Sequence, residues 1–284
     1  LNESGFRVMT IGYKRSNPNK SFVVNDGSSK VEILVPQKIK KPTNYTKLVI
    51  PYINVYANLA AKFQLFDPDN PAKHQVYLKI FAVTNISQDL NLVGSFAVDI
   101  DNNFDLNRGP DSVLEHVRTD INKYLVHGSS GVESLYLEKK SSFNEEVHYR
   151  TYLGILEAMY TGVGIEVLYQ PFMSRLAVGG TINRVIKRGY ERDFELLDYK
   201  TSTGFLSLYY ASPFYNYDFA IHVGRYLAKD KGATMEIRRT FDNGFSVGAF
   251  VTRTNVSAAD FGEGSFDKGL FFKIPFDSFL PNKN

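Results

Sequence analysis

Two acids and one hydroxyl–imidazole pair come nearest to covalent chemistry in this sequence. Glu157 and Glu166 flank "YTGVG" in the stretch "LEAMYTGVGIEVLYQPF". On successive strands they would form a candidate glycosidase pair, which needs carboxyls about 5–9.5 Å apart and one raised pKa. The plainer reading makes both of them acids of a polar interior, paired with Arg150, Arg184 or Arg188. Ser207 and His222 lie in "TGFLSLYYA" and "YDFAIHVGRYLA", runs suited to neighbouring strands. A hydrolase built on them requires a third group to orient the base. An ordinary hydrogen bond across a sheet explains the pair without that requirement.

A third candidate is the loop "DFGEGSFDKG", Asp260 to Gly269. A dinucleotide fingerprint runs G-x-G-x-x-G between a strand and a helix. Here Asp267 stands where the third glycine belongs, and the strand-like "GLFFKIPF" follows. A calcium loop of the helix–loop–helix type needs D-x-[DN]-x-[DN]-G and a closing Glu, and neither is present. The loop therefore reads as a hairpin tip whose glycines allow positive φ and whose acids meet neighbouring cations. Five histidines lack paired ligand spacing and cysteine is absent, so no zinc site or thiol nucleophile is expected. The expectation is no catalytic residue, no cofactor and no metal.

A more extended surface is offered by tyrosines interleaved with Asp, Glu, Asn and Arg. Sugar hydroxyls suit such polar groups, and sugar C–H faces suit rings. Tyr152, Glu157, Tyr160, Glu166, Tyr169, Arg184 and Tyr209 are the candidate polysaccharide contacts. An interfacial aromatic girdle accounts equally well for any single tyrosine.

The elements that must carry these residues are mostly strands. From Tyr45 onward, short runs with period-two alternation are divided by turn signals such as "DPDNP", "QPFMS", "KDKG" and "DNG". Asn25-Asp26-Gly27 marks an earlier hairpin, and Pro51 argues for a bend or edge inside "YTKLVIPYINVYANL". One segment changes period. In "DSVLEHVRTDINKYLVHG", Val113, Leu114, Val117, Ile121, Tyr124 and Leu125 form one apolar stripe. Ser112 and Glu115 have capping-box spacing and Gly128 is a C-terminal stop, so an amphipathic helix is predicted over 112–128. Short turns on one side alternate with longer loops such as "RGYERDFELLDYKTST" and "SAADFGEGSFD" on the other.

Within the strands, one face is greasy and the other small or polar. Leu206, Leu208 and Tyr210 oppose Phe205, Ser207 and Tyr209, while Leu176, Val178 and Ile182 oppose Ala177, Gly179, Thr181 and Asn183. That pattern fits a side-chain-filled or wet lumen with the apolar face turned to lipid. Arg239 shares the apolar face with Met235, Ile237 and Phe241, close to a turn, where an Arg at the membrane interface costs only about 0–1 kcal/mol. Composition is compatible. There are 18 Tyr and 22 Phe but no Trp, and the net charge is +3 from 33 basic and 30 acidic residues. So even a balance gives no electrostatic footprint for nucleic acid. No apolar run approaches the ~20 residues of a membrane-spanning helix, whereas a tilted β-span needs only about 9–11. The start "LNESGFRVMT" lacks a secretory-signal pattern, so such a signal is expected to be removed or to precede it.

From Ser112 to Pro281 the chain resembles the YjbH/GfcD-type family of exopolysaccharide-biosynthesis outer-membrane proteins, which includes a group 4 capsule component. The pieces that carry the resemblance are "VLEHVRTDINKYL", "LEAMYTGVGIEVLYQPF", "SRLAVGG" and the run from "GRYLAKDKG" through "TFDNG" and "DFGEGSFDKG" to "IPF". The resemblance implies an outer-membrane β-barrel, one of two in a longer precursor, and a setting of polysaccharide production and export. It supplies no catalytic residue and no ligand. Outer-membrane barrels commonly finish on a strand ending in an aromatic, whereas "FDSFLPNKN" stops before one, so a closing strand is expected from residues beyond it.

The combined expectation is an all-β, antiparallel up-and-down transmembrane β-barrel with one amphipathic helix. Residues 1–111 would hold early strands and loops, 112–128 the helix, and 129–284 the later strands. It would sit in the bacterial outer membrane as a non-catalytic pore or scaffold for exopolysaccharide or capsule secretion. Its partners would be the lipid bilayer, the polysaccharide and other proteins of the export operon, with no nucleic acid. Two alternatives stand beside it: an outer-membrane barrel enzyme acting on lipid or glycan, and a structural or adhesion barrel without transport.

Overall fold

Among the described residues, period-two alternation between turn signals gives twelve strands in strict sequence order. The computed structural model describes residues 50–65, 71–106, 114, 120–261 and 266–273. The chain divides into residues 1–50 and 51–284, and the account below concerns the second unit. The strands are β1 (Tyr52–Leu65), β2 (Ala72–Asn85), β3 (Leu90–Asn102), β4 (Gly131–Ser142), β5 (Val147–Ile155) and β6 (Tyr160–Tyr169). They continue with β7 (Leu176–Arg188), β8 (Leu196–Ala211), β9 (Tyr217–Arg225), β10 (Lys231–Thr240), β11 (Ser246–Thr254) and β12 (Asp267–Lys273). Each pairs antiparallel with its sequence neighbour in a single sheet ordered β1 to β12.

The all-β antiparallel expectation therefore holds, but closure does not appear. Among the described residues β1 pairs with β2 alone and β12 with β11 alone. The expected barrel is seen as an open meander.

Turn chemistry locates the boundaries. Pro51 falls just before β1, where its missing N–H interrupts no ladder, so the strand runs unbroken from Tyr52. Tyr215 and Asn216 both take φ 53°, the left-handed pair required by a tight hairpin between β8 and β9. The "DNG" turn uses Gly244 at φ 83°. "RGYERDFELLDYKTST" is less of a loop than its polarity implies: only 189–195 connect, and Leu196 onward belongs to β8. The flanks of the Asp260–Gly269 loop join the adjacent strands β11 and β12 through a short helical turn, α2 (Ala258–Phe261), as a hairpin connection does. Its tip lies outside the described residues, as do Asn25-Asp26-Gly27, Ser112, Val113, Glu115 and Val117.

Because the strands alternate in direction, the connections fall on two rims. One rim carries 86–89, 143–146, 170–175, 212–216 and 241–245, all short. The other mixes short links at 156–159 and 226–230 with the long 103–130 and 255–266. The expected alternation is thus uniform at the first rim only. The helix seen within the predicted stretch is α1 (Ile121–Val126), which buries Tyr124 and Leu125.

Burial is inverted relative to a soluble sheet. Leu59 (71% exposed), Leu206 and Ile182 (both 65%) lie bare on one face. Lys73, Gln75, Glu138, Glu166, Thr201 and Ser207 are buried on the other. Apolar surface in water costs roughly 25 cal/mol per Å², and buried polar groups are costly unless hydrogen-bonded. Much of the polar face meets that condition through the network described below, with Gln75 Oε1 and Thr201 Oγ1 as exceptions. Large aromatics crowd the ends of the outer face at the short-turn rim: Tyr52, Phe143, Tyr169, Phe172, Tyr210, Phe214 and Tyr215 are all exposed there. Arg239 joins them as the alternation implied, its guanidinium 4.6 Å from the Phe241 ring centroid and 5.6 Å from that of Tyr217.

Candidate functional site

Strand register builds a polar wall on the inner face. Glu138, Tyr152, Gly164, Asn183 and Thr203 occupy one row across β4 to β8. The neighbouring row runs Lys140, Arg150, Glu166, Thr181. Directly paired residues share a face, so charges distant in sequence become neighbours. Arg150 Nε donates to Glu138 Oε2 at 2.9 Å, and its Nη1 lies 3.5 Å from Glu166 Oε2. Lys140 Nζ holds the other oxygen of Glu138 at 2.7 Å. The Tyr152 hydroxyl donates to Asn183 Oδ1, with Glu166 Oε1 at 3.3 Å, and Asn183 Nδ2 donates to Thr203 Oγ1. The guanidinium also stacks 4.6 Å from the Tyr152 ring centroid.

This wall is electrically satisfied. Two buried carboxylates, Glu138 and Glu166, share one guanidinium and one ammonium. A glycosidase site needs open space between its carboxyls; here Arg150 fills the gap between Glu138 and Glu166. Glu157 lies in the β5–β6 turn rather than on a strand, beyond the Ile155–Thr161 pair. Five strand positions separate Thr161 from Glu166, roughly 16 Å at about 3.3 Å per residue, so the turn keeps these two carboxyls apart.

Ser207 and His222 are direct register partners, and Ser207 Oγ lies 2.8 Å from His222 Nδ1. Ser207 is buried and the Tyr209 ring packs edge-on against the imidazole, 5.7 Å between centroids. The spacing produces a hydrogen bond across the polar face between a buried hydroxyl and the imidazole of the next strand.

At the rim opposite the short turns the inner face is capped. Tyr124 of α1 packs with Met159, Tyr160 and Val185, and its hydroxyl donates to the Arg188 carbonyl. Asp120, at the start of α1, binds Lys123 at 2.7 Å and also Lys187. Burial alone would raise the Asp120 pKa, but the hydrogen bonds and charges of both lysines outweigh it and hold the carboxyl below its usual range. On the other flank Asn102 donates to the Leu125 carbonyl, and Gln75 to that of Ser129. The helix segment thus ties β2 and β3 to β6 and β7. Arg188, fully buried, gathers the carbonyls of Val132, Glu157, Ala158 and Asp193.

The seven candidate contacts divide. Tyr152, Glu166 and Tyr209 lie on the inner wall. Tyr160 is buried beneath α1, and Glu157 contributes a backbone carbonyl to Arg188. Tyr169 and Arg184 belong to the outer face, where Arg184 donates to Ser202 at 3.0 Å. Glu138, Asn183 and Thr203 were not singled out by the sequence. Their signal was positional, since each shares a row or network with Tyr152 and Glu166 once register is known.

Comparison with known proteins places this architecture. Residues 19–284 match the model of the family described as "Exopolysaccharide biosynthesis protein YbjH". The uncharacterized lipoprotein YjbH of Escherichia coli (strain K12) is 35% identical over 221 residues, covering 75% of this chain and 31% of that protein. The chain therefore spans about a third of the length of the curated relative it matches. Coverage by the family model and identity to this relative agree: the chain belongs to the YjbH exopolysaccharide-biosynthesis family.

Proposed function

We propose that this chain forms the wall of an outer-membrane β-barrel that takes part in secreting or assembling an exopolysaccharide, as a polar path or scaffold without covalent chemistry. The inverted burial carries the reading. Bare Leu, Ile and Val side chains suit hydrocarbon, and a hydrogen-bonded charged wall suits a wet or side-chain-filled lumen. The aromatics at the short-turn rim fit an interfacial girdle, with Arg239 stacked among them. Family membership supports the exopolysaccharide setting, and the lipoprotein nature of the Escherichia coli relative fits an envelope location. Short turns face the periplasm in barrels of this class, so the rim capped by α1 faces outward in this reading. The partners are bilayer lipid, the polymer and other proteins of its export route.

Single cysteines at Ile182, Leu206, Thr203 and Ser207, labelled with a lipid-phase spin probe, test the proposal. Lipid contact at the first two and none at the last two supports it. A chain that stays monodisperse without amphiphile, with Ile182 and Leu206 shielded, sinks it. Deleting the protein without change in surface polymer would instead favour an adhesion or structural barrel.

A further inference from the structure

We propose that Arg192 is the anchor of a binding site for a carboxylate-bearing saccharide on the inner face near the capped rim. Arg192 sits in the β7–β8 turn with its side chain buried to 2% exposure. Its Nε and Nη1 have no hydrogen-bond partner. Guanidinium donors are normally satisfied when buried, because an unmet charged donor is among the costlier defects a fold can hold.

The surrounding backbone is shaped to deliver this side chain. Arg192 takes φ 56°, a left-handed conformation uncommon for a long side chain. Val132 N–H donates to its carbonyl at 3.0 Å, pinning the turn to the start of β4. Two glycines line its stem. A Cβ at Gly128 would stand 2.7 Å from Arg192 Cγ, and one at Gly131 would stand 2.8 Å from Arg192 Cβ. A strained turn and a glycine slot therefore hold a guanidinium whose Nε and Nη1 meet no acceptor.

The neighbours define the ligand's chemistry. Arg192 is close enough to Glu133, Tyr77 and Asp99 to act on them electrostatically, and to Lys62 likewise. Glu133 is already bridged by Lys62 at 3.2 Å and Lys79 at 3.1 Å, and Lys62 stacks 4.5 Å from the Tyr77 ring centroid. Glu133 is thereby ion-paired to both lysines, although its Oε2 lacks a hydrogen bond, and the local cations outnumber the acids. Beside Asp99, Gln75 donates to Asp99 Oδ1 and the Ser129 carbonyl, while its buried Oε1 has no partner. Unmet donors at Arg192 Nε and Nη1 and an unmet acceptor at Gln75 Oε1 suit a molecule bearing both a carboxylate and hydroxyls. The guanidinium matches the carboxylate in geometry, and the Tyr77 ring adds a flat apolar face. A uronic-acid residue has this combination. The assignment deepens the polysaccharide reading above and rests on it.

The test uses the full chain in detergent micelles and four probes: trigalacturonate, its methyl ester, maltotriose and inorganic phosphate, read by titration calorimetry. Trigalacturonate is expected to bind about tenfold or more tightly than its ester or maltotriose, the scale of one charge-assisted contact. Arg192→Gln should abolish that preference and Arg192→Lys should retain part of it. Glu133→Gln frees two ammonium groups and should tighten trigalacturonate severalfold, which keeps the test decisive if Arg192→Gln fails to fold. Equal binding of acid and ester, or a preference untouched by Arg192→Gln, overturns the site. So does phosphate binding in place of trigalacturonate. If maltotriose alone binds, the carboxylate assignment falls while the polysaccharide role stands. If no saccharide binds but deletion still removes polymer from the surface, the site alone is wrong.

Discussion

Tyr152 lies flat across Gly164: a Cβ at position 164 would stand 2.5 Å from the ring carbon Cε2 and 2.1 Å from Asn183 Oδ1. The glycine leaves room for the ring, and the ring in turn supports Arg150. Gly164→Ala should destabilise by about 1–3 kcal/mol through overpacking. Gly180→Ala, on the next strand, meets nothing within 4 Å and should stay within about 0.5 kcal/mol. Heat-modifiability on gels and thermal melts in detergent compare the two.

Arg150 is the shared cation of Glu138 and Glu166. Arg150→Met should cost about 3–5 kcal/mol, because two carboxylates would be left buried together without it. The triple change Arg150→Met, Glu138→Gln, Glu166→Gln should recover much of that loss. Chemical denaturation in micelles reads both, and additive behaviour would contradict a coupled network.

Asp120 makes the capped rim acid-sensitive. Its folded pKa is depressed, so its contribution is present above the unfolded carboxylate value of about 3.9 and lost as pH falls through the lower folded value. Hydrogen exchange at α1 should therefore accelerate as pH drops from about 5 toward 2, after correction for intrinsic rates. Asp120→Asn should flatten that added acceleration. Exchange at α1 that follows intrinsic chemistry alone in the unaltered chain would contradict the linkage.

The outer face should reject charge according to depth. Ile182→Arg, mid-strand and bare, should cost about 2–4 kcal/mol of insertion free energy if it lies at the bilayer midplane. Thr181→Lys points the other way, beside Glu166, and should insert normally. Folding yield into lipid vesicles measures the contrast. Ser207→Ala should leave surface polymer unchanged, and a loss of polymer with normal insertion would revive the barrel-enzyme reading.

Alternation makes the two faces legible in the sequence itself. Leu206 against Ser207, and Ile182 against Asn183, already separate bare from buried positions, and Arg239 falls on the face of Phe241 close to a turn, where its guanidinium meets that ring. Register is a different kind of fact. Nothing local in "LYLEKK" says that Glu138 meets Arg150, because that meeting depends on hairpin lengths and pairing. The Tyr residues show the same limit: Tyr169 and Tyr209 look alike in sequence, yet they stand on opposite faces. Arg192 was invisible because it lies in a loop, where no periodicity reports direction, and its burial depends on Gly128 and Gly131 sixty or so positions earlier.

Arg188 receives its carbonyls from β4, from the β5–β6 turn and from the β7–β8 turn. Hairpins can zip pairwise as the chain emerges, but this knot cannot be tied until all of those segments have arrived. One end of the molecule should therefore set last and in a single step, so a nascent wall stays pliable at that mouth until its seventh stave is home.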